Sequence, residues 1–161
     1  MKCTPAGCQQ SPIMPSTHTS LLFHLVFATK NREPIILSEW KDRFHEYLGG
    51  AVHGLGGVPL GVGGVADHVH LLVSLKPTHC LSDFMRELKK SSTSWVRESF
   101  KQPQFQWQEG YAAFSVSASS RDSARGYIAN QEAHHRQNTF REELIAFLQK
   151  SGIDYDDRYL D

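Results

Sequence analysis

No run of apolar residues in this chain approaches the roughly 18 needed to cross a bilayer, so no membrane partner is expected. Charge of one sign is also lacking. Lys plus Arg number 17 and Asp plus Glu number 17 among 161 residues, so no global field draws in nucleic acid or anionic lipid. A local basic groove remains open. Cysteine is scarce and odd in number, with Cys3, Cys8 and Cys80 and no CxxC pair. That excludes a disulfide framework and a zinc ribbon, and points to reduced thiols in a cytoplasmic protein. Internal repeats are absent. The leader "MKCTPAGCQQSPIMPS" has one lysine and no long apolar segment, unlike a secretory signal. Residues 1–17 are read as a flexible extension and 18–161 as one domain, long enough to bury its own core. What the chain has in excess is histidine, nine in all, which favours metal or proton-transfer chemistry.

Hydrophobic periodicity orders the rest. "HTSLLFHLVFAT" (18–29) is too short and too uniformly apolar for a helix and is predicted as a central strand. After the break at Pro34, Ser38 is the expected N-cap of a helix placing Trp40, Phe44, Tyr47 and Leu48 on one face, ending in glycines. "VPLGVGGVADHVHLLVSL" suggests two strands around a Gly/Ala/Asp joint. A second helix, capped by Ser82, sets Phe84, Met85, Leu88, Trp95 and Val96 against Lys89, Lys90 and Arg97. "FQWQEGYAAFSVSAS" predicts one strand, or two with a turn at Gly110. Helices follow over "RDSARGYIANQEAHHRQ" and over "FREELIAFLQKSG", the latter capped by Thr139 with Glu142 three residues on. This order predicts an α+β fold: a ferredoxin-like split βαβ antiparallel sheet, helices on one face, and an added C-terminal helix carrying a tyrosine.

Strand residues two apart share a face, so His68 and His70 of "ADHVHLL" project together while Val69 turns to the other side. Such a pair can share one divalent cation; it can equally be one core and one exposed histidine. Asp67 strengthens the metal reading, because carboxylates orient ligand imidazoles. Two ligands are too few for a stable site. In "GYIANQEAHHRQ", Tyr127 and Gln131 are four apart and share a helical face. A phenol can attack phosphorus, and a neighbouring cation offsets its poor nucleophilicity at an ordinary pKa near 10. Gln131 can offer an amide oxygen to the same ion. A tyrosine packed on the sheet and solvated histidines at 134 and 135 are the structural alternatives.

These segments, with "FHLVFATKNREPII", "LSDFMRELKKSS" and "GIDYDDRYL" in the same order, resemble the HUH-type single-tyrosine transposases of the IS-two-hundred-like kind, over nearly everything after the leader. The resemblance implies that His68 and His70 are the metal pair, Gln131 the third ligand, Tyr127 the nucleophile, and Mg²⁺ or Mn²⁺ the cofactor. It implies cleavage and rejoining of single-stranded DNA through a 5′-phosphotyrosine, hairpin recognition at element ends, and a homodimer whose sheets join. Either its own or the partner's tyrosine helix can then complete each subunit's histidine site. Lys30, Arg32, Arg86, Lys89, Lys90 and Arg121 are the candidate phosphate contacts. Phe105, Trp107 and Tyr111 can stack bases or fill the core. Two other readings compete: a non-catalytic hairpin-binding relative, and a zinc hydrolase using His68, His70 and His134 or His135.

Overall fold

The computed structural model describes residues 16–160. Most of the expected 1–17 extension, with Cys3 and Cys8, therefore lies outside the described residues. The elements run β1 (Leu22–Ala28), α1 (Ser38–Gly54), β2 (Val58–Gly64), β3 (His68–Ser74), α2 (Leu81–Ser99), β4 (Ala112–Val116), α3 (Arg121–Ala129), α4 (Gln131–His134) and α5 (Phe140–Lys150). The four strands form one antiparallel sheet in the order β2-β3-β1-β4, with β1 and β3 central. This is the α+β split βαβ arrangement that the element order predicts, but helices cover both faces of the sheet and the tyrosine lies on α3, not on the added C-terminal helix.

β1 and β3 are buried along nearly their whole length, which explains why their sequences read as continuous apolar runs. The pleat divides them. Leu25 and Phe27 of β1, with Val69, Leu71 and Val73 of β3, face α1 and α2 and form the main core with Phe44, Leu48, Met85, Leu88 and Val96. His24, Val26 and Ala28, with His68 and His70, face the other way. There α5 covers Val26, Ala28 and Phe114 through Phe140, Leu144 and Phe147, while α3 lies over β2 and β3. The polar cluster thus occupies the gap between α3 and α5, on the face opposite α1 and α2.

Phe105 and Trp107 belong to the core. Both are buried, Trp107 stacks on Phe44, and its indole N–H donates to Ser92 Oγ at 2.9 Å. Only Tyr111 of the three candidate stacking aromatics is exposed. The stretch holding them is a single strand, β4, preceded by a lone bridge from Trp107 to Thr29 and a turn at Gly110.

Two caps differ from expectation. Ser38 and Ser82 are already inside their helices; Leu37 and Cys80 hold the cap positions without side-chain hydrogen bonds. Thr139 does form the expected capping box with Glu142. The helix predicted across Tyr127 and Gln131 is interrupted at Asn130, whose φ is −100° and ψ 22°. Its side-chain amide donates to the Gly126 carbonyl at 3.0 Å, a local competitor of the helical ladder. The neighbouring Ile128 carbonyl rests against Gly63 of β2, so closely that a side chain there would overlap it.

Candidate active site

β3 places His68 and His70 on one face, both fully buried. Each is held from behind. His68 Nδ1 donates to Asp67 Oδ1 at 2.7 Å, so its proton sits on Nδ1 and Nε2 carries a bare lone pair. Burial disfavours the Asp67 carboxylate, but the His68 hydrogen bond and the nearby Arg32 guanidinium hold its pKa below the usual range. Thr29 anchors this corner, since both its N–H and its hydroxyl reach the Asp67 carbonyl. Behind His70 stands His24 of β1, with Nε2 2.8 Å from His70 Nδ1. Burial first, and His70 second, push the His24 pKa down to about 3, so it is neutral. The Nε2 atoms of His68 and His70 are buried without a hydrogen-bond partner among the described residues.

The far side of the site comes from the chain after α3. His135 Nδ1 donates to the Asn138 carbonyl at 2.9 Å, which leaves its Nε2 bare as well. Glu143, buried on α5, sets Oε2 at 3.7 Å from His68 Nε2, 3.3 Å from His70 Nε2 and 3.1 Å from His135 Nε2. Gln131 Nε2 donates to Glu143 Oε1 at 3.2 Å, and its Oε1 lies 3.1 Å from His135 Nε2. The Tyr127 hydroxyl donates to Glu143 Oε1 and sits 3.2 Å from His134 Nε2. Burial and then the Glu143 carboxylate raise the Tyr127 pKa, keeping the phenol protonated. Burial opposes the charge on Glu143, but donors from His70, Tyr127 and Gln131 hold its pKa well below the carboxylate range.

This donor set fits a divalent cation. His68, His70, His135 and Glu143 offer ligand atoms within 4.8 Å of one another. Burial lowers the His70 and His135 pKa values, so the doubly protonated imidazolium is disfavoured for both rings. A buried carboxylate and bare imidazole nitrogens facing one another are mutually repulsive unless a positive charge lies among them.

Of the residues expected from sequence, His68, His70, Tyr127 and Gln131 come together within one chain. Arg32 joins them at the rim, lying over the Phe140 ring and lining with Arg136 a groove of about 510 Å³ beside His135. Arg86, Lys89 and Lys90 sit on α2, across the sheet from the cluster. Arg86 pairs with Asp83 and Glu87, and Lys90 is exposed. Lys89 instead donates to the carbonyls of Gln108 and Gly110, and burial brings its pKa down to about 8. Lys30 is exposed; Arg121 pairs with Asp122. Of the two histidines offered as third hydrolase ligands, His135 enters the cluster and His134 meets the tyrosine hydroxyl.

Glu143 and His24 had no place in the sequence reading. A signal for Glu143 exists: Phe140, Leu144 and Phe147 define the apolar stripe of α5, and Glu143 interrupts it. For His24 the signal is weaker, a polar residue on the face of β1 shared with Val26 and Ala28.

Comparison with known proteins shows the class to be that of the transposases. The sequence model of the family described as "Transposase IS200 like" matches residues 17–131, more than half of the chain, and the chain belongs to that family of DNA-processing enzymes. Among its relatives, the ISDra2 transposase TnpA of Deinococcus radiodurans is 29% identical over 119 residues, covering 69% of this chain and 84% of that protein. A crystal structure assigned to a Deinococcus radiodurans transposase superposes with a TM-score of 0.60 at 28% identity, covering 75% of this chain and 98% of its own. The fold is also shared with a REP-associated tyrosine transposase bound to a REP hairpin, at TM-score 0.56 and 13% identity, over 78% of this chain and 74% of that one. His135 and Glu143 lie beyond the end of the family match.

Proposed function

We propose that this transposase cuts and rejoins single-stranded DNA through a covalent 5′-phosphotyrosine on Tyr127, and that residues 18–161 act as one domain. One observation carries the reading: the Tyr127 hydroxyl is hydrogen-bonded into a buried cluster built on the His68–Val69–His70 pair of the same chain. In the forward step the Tyr127 oxygen bonds to phosphorus and the P–O3′ bond breaks. Glu143 Oε1 already accepts the phenol hydrogen bond and is placed to take its proton as the bond to phosphorus forms, and the departing 3′ oxygen takes up a proton from solvent to leave as a free hydroxyl. In the reverse step a 3′ hydroxyl attacks the same phosphorus and returns the phenol, so no external energy source is needed.

His68 and His70 would hold a divalent ion, Mg²⁺ or Mn²⁺ by family likeness, with the Gln131 amide oxygen beside it. Such an ion, when bound, polarises the scissile phosphate and steadies the leaving oxygen. Asp67 and His24 orient the imidazoles, and the low-dielectric gap between α3 and α5 strengthens each polar contact there. Arg32 at the rim, with Arg136 in the same groove, is placed to steer the strand, and exposed Lys30 is a further candidate. Arg86, Lys90 and Arg121 would serve duplex contacts further away.

Recognition of hairpins at element ends is supported by the REP-associated neighbour, which was solved with a hairpin. Family likeness supports a homodimer in the cytoplasm. No helix among the described residues is long and apolar enough to cross a membrane. The test is a covalent-adduct gel with single-stranded oligonucleotides carrying a hairpin, with and without divalent metal. Tyr127→Phe is expected to abolish the adduct, and an adduct retained in that variant overturns the assignment.

A further inference from the structure

We propose that the segment following the family match makes this a four-donor metal centre, His68, His70, His135 and Glu143, which selects a first-row transition ion over Mg²⁺. The inference concerns the ion of the site described above and rests on that reading for its catalytic meaning only.

The spacing around Glu143 is close to that of a coordination shell, and all four ligand atoms lie within 4.8 Å of one another. Bond lengths of about 2.0–2.2 Å in a tetrahedral site place neighbouring ligand atoms roughly 3.3–3.6 Å apart. From Glu143 Oε2 the three imidazole Nε2 atoms lie at 3.1, 3.3 and 3.7 Å. The tautomers agree with that role. Asp67 and the Asn138 carbonyl accept from the Nδ1 atoms of His68 and His135, which frees both Nε2 atoms as ligands. For His70 the same state requires Nδ1–H to donate to His24. His68 and His70 are fully buried with Nε2 unpartnered, so neither is available to solvent instead.

The chemistry of the donors decides the class of ion. Mg²⁺ dehydrates reluctantly and prefers oxygen ligands in an octahedron, keeping several waters. Three imidazoles and one carboxylate suit Mn²⁺, Co²⁺ and Zn²⁺, with affinity rising toward the later metals except that Zn²⁺ falls below Cu²⁺. Glu143 adds a negative charge that an amide does not. Through its other oxygen it also receives the Tyr127 hydroxyl, so one side chain of α5 joins nucleophile and ion. Gln131 then acts chiefly as the brace that donates to Glu143.

The test uses the full chain without DNA. Co²⁺ is titrated while visible absorption is recorded, followed by competition with Zn²⁺, Mn²⁺ and Mg²⁺. The expected result is an intense d–d spectrum of low coordination number, removed by near-stoichiometric Zn²⁺ and unaffected by a hundredfold excess of Mg²⁺. His135→Ala and Glu143→Gln should each weaken Co²⁺ binding about tenfold or more, the order seen when metal-site partners are lost. The proposal is overturned if Mg²⁺ displaces Co²⁺ at comparable concentration, or if both variants bind Co²⁺ as the parent does. Because a bare histidine pair would also prefer Co²⁺ to Mg²⁺, the variants carry the test of the four-donor site, and His135→Gln and Glu143→Ala are measured beside them in case either first variant fails to fold. Covalent attachment of DNA is measured separately on the wild-type chain, so a failure of DNA attachment and a failure of this metal assignment are read separately.

Discussion

Adding one methyl group, by Gly63→Ala, tests whether the nucleophile's position is set by the close seating of α3 on β2. A Cβ at residue 63 would overlap the Ile128 carbonyl oxygen and come within 2.9 Å of its carbonyl carbon and 3.0 Å of its Cγ2, where ordinary contact begins at 3.4 Å. The obstacle is backbone, which cannot swing aside as a side-chain tip would. Relief requires α3 to retreat by roughly 1 Å or β2 to bend, and overpacking of this kind costs about 1–3 kcal/mol. For a chain of this length each kcal/mol lowers Tm by about 2–4 °C, so the expected fall is roughly 2–12 °C. Ile128 adjoins Tyr127, and a misplacement of about 1 Å at a reacting group costs on the order of a hundredfold in rate. Gly61→Ala is the control: its Cβ would meet Arg125 Cγ at 3.6 Å and Leu72 Cβ at 3.7 Å, ordinary contacts. Thermal denaturation and the rate of adduct formation are measured on both. Wild-type melting and wild-type attachment in Gly63→Ala would refute the seating argument; equal damage in Gly61→Ala would show that any added bulk on this strand, and not the overlap with Ile128, is the cause.

Two further outcomes follow from the packing around the cluster. His24→Phe keeps the ring but removes the acceptor for His70 Nδ1–H, and should weaken metal binding about 10–100-fold, with His24→Gln restoring part of it through its amide oxygen; titration calorimetry checks this, and parent-like affinity in the phenylalanine variant counts against it. His45 is held at about 4 by burial and by Lys41, against Asp42, while its unfolded value is about 6.5. The unfolded chain therefore takes up a proton that the folded chain refuses as pH drops from about 6.5 toward 4, and stability falls across that window. Denaturation midpoints between pH 7 and 5 should show a shallower decline in His45→Gln; an unchanged slope would exclude His45 as its source.

The sheet was legible because burial on both faces leaves an apolar run, and because His-x-His on a strand can only present both rings to one side. The Thr139–Glu142 capping box was legible because it is local. Lys89 misled for the opposite reason: on its helix it reads as a basic surface residue, yet a loop 19 residues away supplies the carbonyls it binds.

By itself, then, the amino-acid order determined the elements and the side of the sheet on which His68 and His70 stand, because these depend on spacing along one element. Tertiary structure alone decided that His24 backs His70 and that His135 and Glu143 close the site. Those contacts join residues 46 to 75 positions apart, through the antiparallel register of β1 on β3 and the docking of α5, where long-range packing rather than local pattern selects the partner.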